Sequence, residues 1–400
     1  MRLVAVVAAM ASLVAACGSS TPVASHRTNS SPTAGGTPVA TASASASASA
    51  SASAASTPTA SAPSPSPLTP LTGQYGLLIS GGQLELIKSD GSIYASTPIT
   101  DPSVRFCSSN QDGAMLAPPV SASNDQVYFR NGDAQIQMVV PSASAVNVTT
   151  VPGSSTVASF FSVSPDDRRI AVLVEDLSAA TTISLRLYVE DLIGHGHHAD
   201  IFSTVQPKGK TGTTLWPMGW HQGALVLAVV TACTFEPAGL APAGWHVSNA
   251  SNAVRIATIA ANNCVLSFFP SPAGVGCSGS GGVTTTYGWD GKVIAVTGPQ
   301  VSGFDFAASE LSPAGNSILF SVRPGIGAPP PATRFIQLGP GPYATVQGHS
   351  ACLWIDEDHA LAPDAVIQFP AETPGNVRVN TSVTALPQGG VCEGRFPGGL

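Results

Sequence analysis

Gly194-His195-Gly196-His197-His198-Ala199-Asp200 puts three imidazoles and a carboxylate within seven residues. Such a group is chemically suited to zinc or copper. Here it falls where a hairpin turn is expected, with no supporting residues to orient the rings. It reads as an exposed polar turn, and neither a metal nor a cofactor is assigned. Asp356-Glu357-Asp358 suggests calcium, yet the spacing of an EF-hand loop is missing and an acidic turn explains it. Gly348-His349-Ser350-Ala351-Cys352 begins like a nucleophile elbow but lacks the closing glycine and a strand-to-helix context. No phosphate-cradling loop or dinucleotide fingerprint occurs, and no catalytic residue is assigned. The aromatic candidates for ligand binding are Trp216 and Trp220, which bracket Pro217-Met218-Gly219, with His221 alongside. Their bland reading is packing between elements.

Seven cysteines occur. Apart from Cys17, the six are Cys107, Cys233, Cys264, Cys277, Cys352 and Cys392, an even number that favours disulfides in an exported chain. Cys264 and Cys277 flank a turn-rich segment, which suits a local bridge. Cys392 has Cys352 or Cys107 as its partner. No Cys-x-x-Cys spacing occurs, so neither a zinc knuckle nor a thioredoxin-like site is indicated.

The elements that would position these groups are short. Of 400 residues 44% are hydrophobic and only 10% charged, and the 40 Gly and 34 Pro oppose long helices. A formal charge of −7 offers no basic face for a phosphate backbone, which argues against nucleic acid as a partner.

Residues 1–16 form a charged start followed by an apolar run of about 14 residues, ~21 Å as a helix and short of the ~30 Å bilayer core. That pattern predicts a secretory signal. Its end, Val14-Ala15-Ala16-Cys17, resembles the lipobox of bacterial lipoproteins. The resemblance implies cleavage before Cys17, lipidation of its thiol, and a membrane partner reached through the lipid anchor. The implied address is the cell membrane, on its outward, extracytoplasmic face. Residues 17–72 are almost wholly Ser, Ala, Thr and Pro, with an Ala-Ser repeat through 43–54. Such a stretch buries too little apolar surface to fold. It predicts a disordered tether of about 55 residues with an end-to-end distance of ~40 Å.

Residues 73–400 change texture. Short apolar runs alternate with Gly-Gly, Asp-Gly and similar turns, and no helical periodicity is sustained, so the region is predicted to be all-β. It also repeats. Ser164-Pro165-Asp166-Asp167-Arg168-Arg169-Ile170-Ala171 has a near copy in Ser312-Pro313-Ala314-Gly315-Asn316-Ser317-Ile318-Leu319. Looser copies begin at Ser123, Trp220 and Ile355. Several strands per ~40–50 residues point to propeller blades. The motif resembles that of TolB-like and WD-repeat-like propellers, which implies a single β-propeller. Seven blades are expected, at about 74–100, 117–150, 158–204, 214–260, 262–299, 303–347 and 350–388. Six is the alternative count, and a string of β-sandwiches the alternative architecture. The first unit is one strand short, and the segment around Cys392–Phe396 is expected to complete it and close the ring.

The leading functional expectation is a non-catalytic binding or scaffold module for a protein or wall polymer. An extracellular glycan lyase or hydrolase with a channel-mouth site is the alternative, and a sensory or assembly subunit the third class.

Overall fold

The computed structural model describes residues 69–104, 119–208, 212–231, 242–279, 283–297, 308–322, 331–338, 343–369 and 381–400. The expectations for the signal segment, Cys17, most of the tether, Cys107 and Cys233 lie outside these residues.

The described strands assemble into seven antiparallel sheets of four strands each, the blades of one propeller. Blade 1 contains β1 (Tyr75–Ser80), β2 (Gln83–Ile87) and β3 (Ile93–Pro98). Blade 2 contains β4 (Val120–Ala122), β5 (Val127–Asn131), β6 (Gln135–Met138) and β7 (Val146–Thr150). Blade 3 contains β8 (Val157–Val163), β9 (Arg169–Asp176), β10 (Thr182–Asp191) and β11 (Ala199–Pro207). Blade 4 contains β12 (Thr213–His221), β13 (Ala224–Thr231), β14 (Gly244–Asn249) and β15 (Arg255–Ala260). Blade 5 contains β16 (Cys264–Leu266), β17 (Val275–Gly279), β18 (Thr284–Tyr287) and β19 (Val293–Thr297). Blade 6 contains β20 (Ala308–Leu311), β21 (Ser317–Val322), β22 (Ala332–Gln337) and β23 (Tyr343–Gln347). Blade 7 contains β24 (Leu353–Trp354), β25 (His359–Ala362), β26 (Ala365–Gln368) and β27 (Ser382–Ala385). The last strand, β28 (Val391–Phe396), returns to blade 1 and pairs antiparallel with β1. The ring therefore closes as the sequence pattern predicted, with seven blades and not six.

The first strands of neighbouring blades touch one another, as in β28–β4–β8–β12 and β16–β20–β24–β28, so they surround the axis. Burial follows from that position. β9 lies inside a blade covered on both faces and reads Ile170-Ala171-Val172-Leu173, all buried. β27 is an outermost strand and is exposed throughout. The core therefore sits between blades. One apolar cluster runs from Phe160 in blade 3 through Trp245 in blade 4 to Val275 in blade 5.

The repeated turn between the first two strands of a blade has a physical cause. Ser164 Oγ accepts the Arg169 N–H at 2.9 Å, and Ser312 Oγ accepts the Asn316 and Ser317 N–H groups, both at 3.1 Å. Ser123 Oγ plays the same part for Asp125 and Gln126, and an Asp356 carboxylate oxygen does so for Asp358 and His359. A short side-chain oxygen thus satisfies backbone donors that the ladder leaves open. The fourth turn residue takes the left-handed conformation in both close copies, Asp167 at φ 58° and Gly315 at φ 77°. Blade 4 uses another solution, with both Gln222 and Gly223 at positive φ.

Candidate functional site

The centre of the ring holds a cavity of about 80 Å³ whose wall takes residues from every blade. Most are apolar or small, among them Leu77, Val120, Phe161, Met218, Phe269 and Leu353. Three are ionisable: Glu310 on β20, and Glu393 and Arg395 on β28. Placing the closing strand innermost puts its charged residues on the axis.

Burial raises the Glu393 carboxyl to about 8, and the negative charge of Asp101 pushes the same way. Glu393 is therefore largely protonated at neutral pH and acts as a hydroxyl donor. Burial lowers the Arg395 guanidinium to about 10, opposed by the charge of Glu357. Glu310 is already engaged by other groups.

One side of the cavity is crossed by residues 397–400, which follow β28. Gly398 N–H donates to Ser123 O in blade 2 at 2.9 Å, and Leu400 N–H donates to Trp220 O in blade 4 at 3.1 Å. A Cβ added at Gly219 would overlap Leu400 Cδ1. The glycine, beside the β12 bulge, makes the notch that seats Leu400.

The histidine cluster lies between β10 and β11, the two outer strands of blade 3, and so away from the axis. Glu190, which sequence reading passed over, organises it. Its carboxylate lies 2.6 Å from His195 Nδ1 and 2.9 Å from His198 Nδ1. A carboxylate only accepts, so both Nδ1 atoms carry the proton. Arg186 Nη2 lies 3.0 Å from His198 Nε2 and Asp200 Oδ1 lies 3.5 Å from it, so both nitrogens of that ring face protein groups. His197 Nδ1 is taken by Asp191 at 2.8 Å. Among the described residues no group of three His, Cys, Asp or Glu side chains is arranged around a common metal position. His349 Nδ1 lies 3.0 Å from Asp364, in the connection from β23 to β24 and not at a strand-to-helix turn.

Trp216 and Trp220 are each 1% exposed. Trp216 packs on Phe160 and Phe268, with centroids at 5.5 and 6.3 Å. Trp220 donates from Nε1 to Ser162 O of blade 3 at 3.2 Å, and its ring is covered by Arg169 at 4.8 Å. Both faces expected to stack on a ligand are spent on packing between blades. The reason is position: β12 is an inner strand, and large rings fill the gap between twisted sheets. His221 is partly exposed, with its Nδ1 buried and unpaired among the described residues. Cys264 is bonded to Cys277, and Cys352 to Cys392.

These features define a seven-bladed β-propeller. No protein-family model matches the sequence, and no curated protein matches it. Solved structures share the fold. Oligogalacturonate lyase from Vibrio parahaemolyticus is 10% identical, with 74% of this chain and 83% of that one covered at a TM-score of 0.43. TolB from Acinetobacter baumannii is 12% identical over 66% of this chain and 61% of that one, at 0.36. BamB from Moraxella catarrhalis is 10% identical over 74% and 79%, also at 0.36. Such likeness extends to the fold alone.

Proposed function

We propose that this chain is a lipid-anchored binding or scaffold module, held by Cys17 on the outward face of the cell membrane. Its ligand is a protein or wall polymer carried on the face formed by the first turns of the blades. The observation that carries this reading is that side-chain hydrogen bonds tie those turns down on a closed ring. Their backbones are tied by Ser123, Ser164, Ser312 and Asp356, while their tips remain open to solvent. The Arg168 side chain, for example, is 83% exposed. A stiff face of several loops loses little entropy on binding. The tether adds reach, and acyl chains on Cys17 would make the attachment stable.

The test uses the full chain in its native membrane. Cross-linking and pull-down, with wall fragments and peptides analysed by mass spectrometry, should recover a ligand that Arg168→Glu weakens. Recovery of cleaved product in place of bound ligand would overturn the reading. A lyase or hydrolase is the second reading, favoured by the acidic and basic side chains on the cavity wall. It requires that Glu393→Gln or Arg395→Met abolish turnover of a wall glycan.

A further inference from the structure

We propose that the central cavity is a binding site for a small free carboxylate, seated on Arg395. This is independent of any partner on the outer face.

A guanidinium keeps its charge at any physiological pH, and one that faces a cavity without a protein partner is matched best by an anion. Arg395 is half-buried on the cavity wall, where partial loss of water already depresses its basicity. Among the described residues no hydrogen-bond acceptor is placed against it. Glu357 is the acid that acts on it, and Glu357 Oε1 is itself held by the Ala314 N–H. Two hydroxyls of the wall already have protein partners. Ser121 Oγ accepts the Val163 N–H at 2.9 Å, and Ser271 Oγ donates to Ser312 O at 2.7 Å. Glu310 is engaged as well. Beside the small hydroxyls of Ser121 and Ser162, the donors facing the cavity are the planar fork of Arg395 and the protonated carboxyl of Glu393, two residues earlier on β28.

That pairing selects the ligand. A guanidinium fork matches the two oxygens of a carboxylate, and a neutral carboxylic acid beside it adds a hydrogen bond without repulsion. A cation would meet Arg395 head on. The surrounding Leu77, Val120, Phe161 and Leu353 suit a short apolar tail. A volume of about 80 Å³ admits a handful of waters or an acid of roughly four to six heavy atoms. The strap of residues 397–400 across one side favours a small free acid over a polymer.

The experiment is a titration of the intact chain with sodium acetate against sodium chloride at equal ionic strength, read by calorimetry and thermal shift. Acetate should bind saturably and raise Tm, while acetamide, the same size without charge, should do neither. Arg395→Met should fold, since it removes a half-buried charge that no described protein group accepts from, and should lose the acetate response at least tenfold. Arg395→Lys should keep a weakened response. Absence of saturable acetate binding by the native chain would overturn the proposal, as would an equal response in folded Arg395→Met.

Discussion

Cys352, at the entry to blade 7, is bonded to Cys392 on β28, so the last blade is fastened covalently to the strand that completes the first. The bridge lies beside the seam where the two ends of the propeller meet. Its 40-residue separation exceeds the 13 residues between Cys264 and Cys277. In the chain-entropy model these loops contribute about 4 and about 3 kcal/mol respectively. Replacing Cys392 with Ala should therefore lower urea-unfolding stability by about 1 kcal/mol more than replacing Cys264 with Ala. A smaller loss at Cys392 would mean that the seam is held by the sheet alone.

The non-covalent half of the seam rests on Phe396. It is 1% exposed and stacks on Tyr75 at 5.9 Å, with Tyr75 opposite it in the β1–β28 register. Phe396→Ala should cost about 3–5 kcal/mol, the usual range for a buried aromatic truncated in place. Hydrogen exchange should show the loss as faster opening of β28 and β1 before the middle blades. Uniform acceleration around the ring would instead show that the blades unfold only together.

Two carboxyls, Glu175 buried and Glu393 half-buried, shape the pH profile. Burial raises Glu175, between blades 3 and 4, to about 7 against the pull of Thr214, and raises Glu393 to about 8; the ordinary value of both is 4.5. In the fold each holds its proton at a pH where the unfolded chain has released it. Their contribution is thus complete below the ordinary value and lost as pH rises through 7 and 8. Stability should fall by several kcal/mol between pH 5 and pH 9, since each tenfold change in proton affinity is worth about 1.4 kcal/mol and both groups contribute. Glu175→Gln should flatten the lower part of that slope. Equilibrium unfolding across this range decides it, and a rise in stability toward pH 9 would contradict the burial argument.

Much of this architecture was legible because its causes are local. A polar side chain that ties down a turn must precede a strand, so Ser123, Ser164, Ser312 and Asp356 marked four blades in the sequence. Blade 5 was harder. Its equivalent, Ser271, accepts the Ala273 N–H at 3.2 Å, but Pro270 and Pro272 around it hide the pattern. The short closing strand was readable from the missing fourth strand of blade 1. The cavity was not legible, because its wall is assembled from a few positions in each blade, and Glu310 on β20 is far in the chain from Glu393 and Arg395 on β28. Glu393 and Arg395 stood in a segment that sequence reading used only for closure. The one signal present was two charged residues alternating on a strand due to lie innermost. Likewise Trp216 and Trp220 looked like a ligand platform because sequence does not say which strand of a blade faces the axis.

That last point is open to mutation. Trp220 touches blade 3 twice, through its Nε1 bond to Ser162 O and through the Arg169 guanidinium over its ring. Trp220→Phe keeps most of the apolar volume and removes the donor. It should destabilise the fold by about 1–2 kcal/mol, the sum expected of one hydrogen bond and a weakened cation–π contact. Arg169→Gln removes only the cation and should cost less. In a double-mutant cycle the two changes should be non-additive, because both act on one ring. If Trp220→Phe left unfolding unchanged and instead abolished capture of a ligand, the ring would be a recognition surface, and its place between the blades would have another explanation.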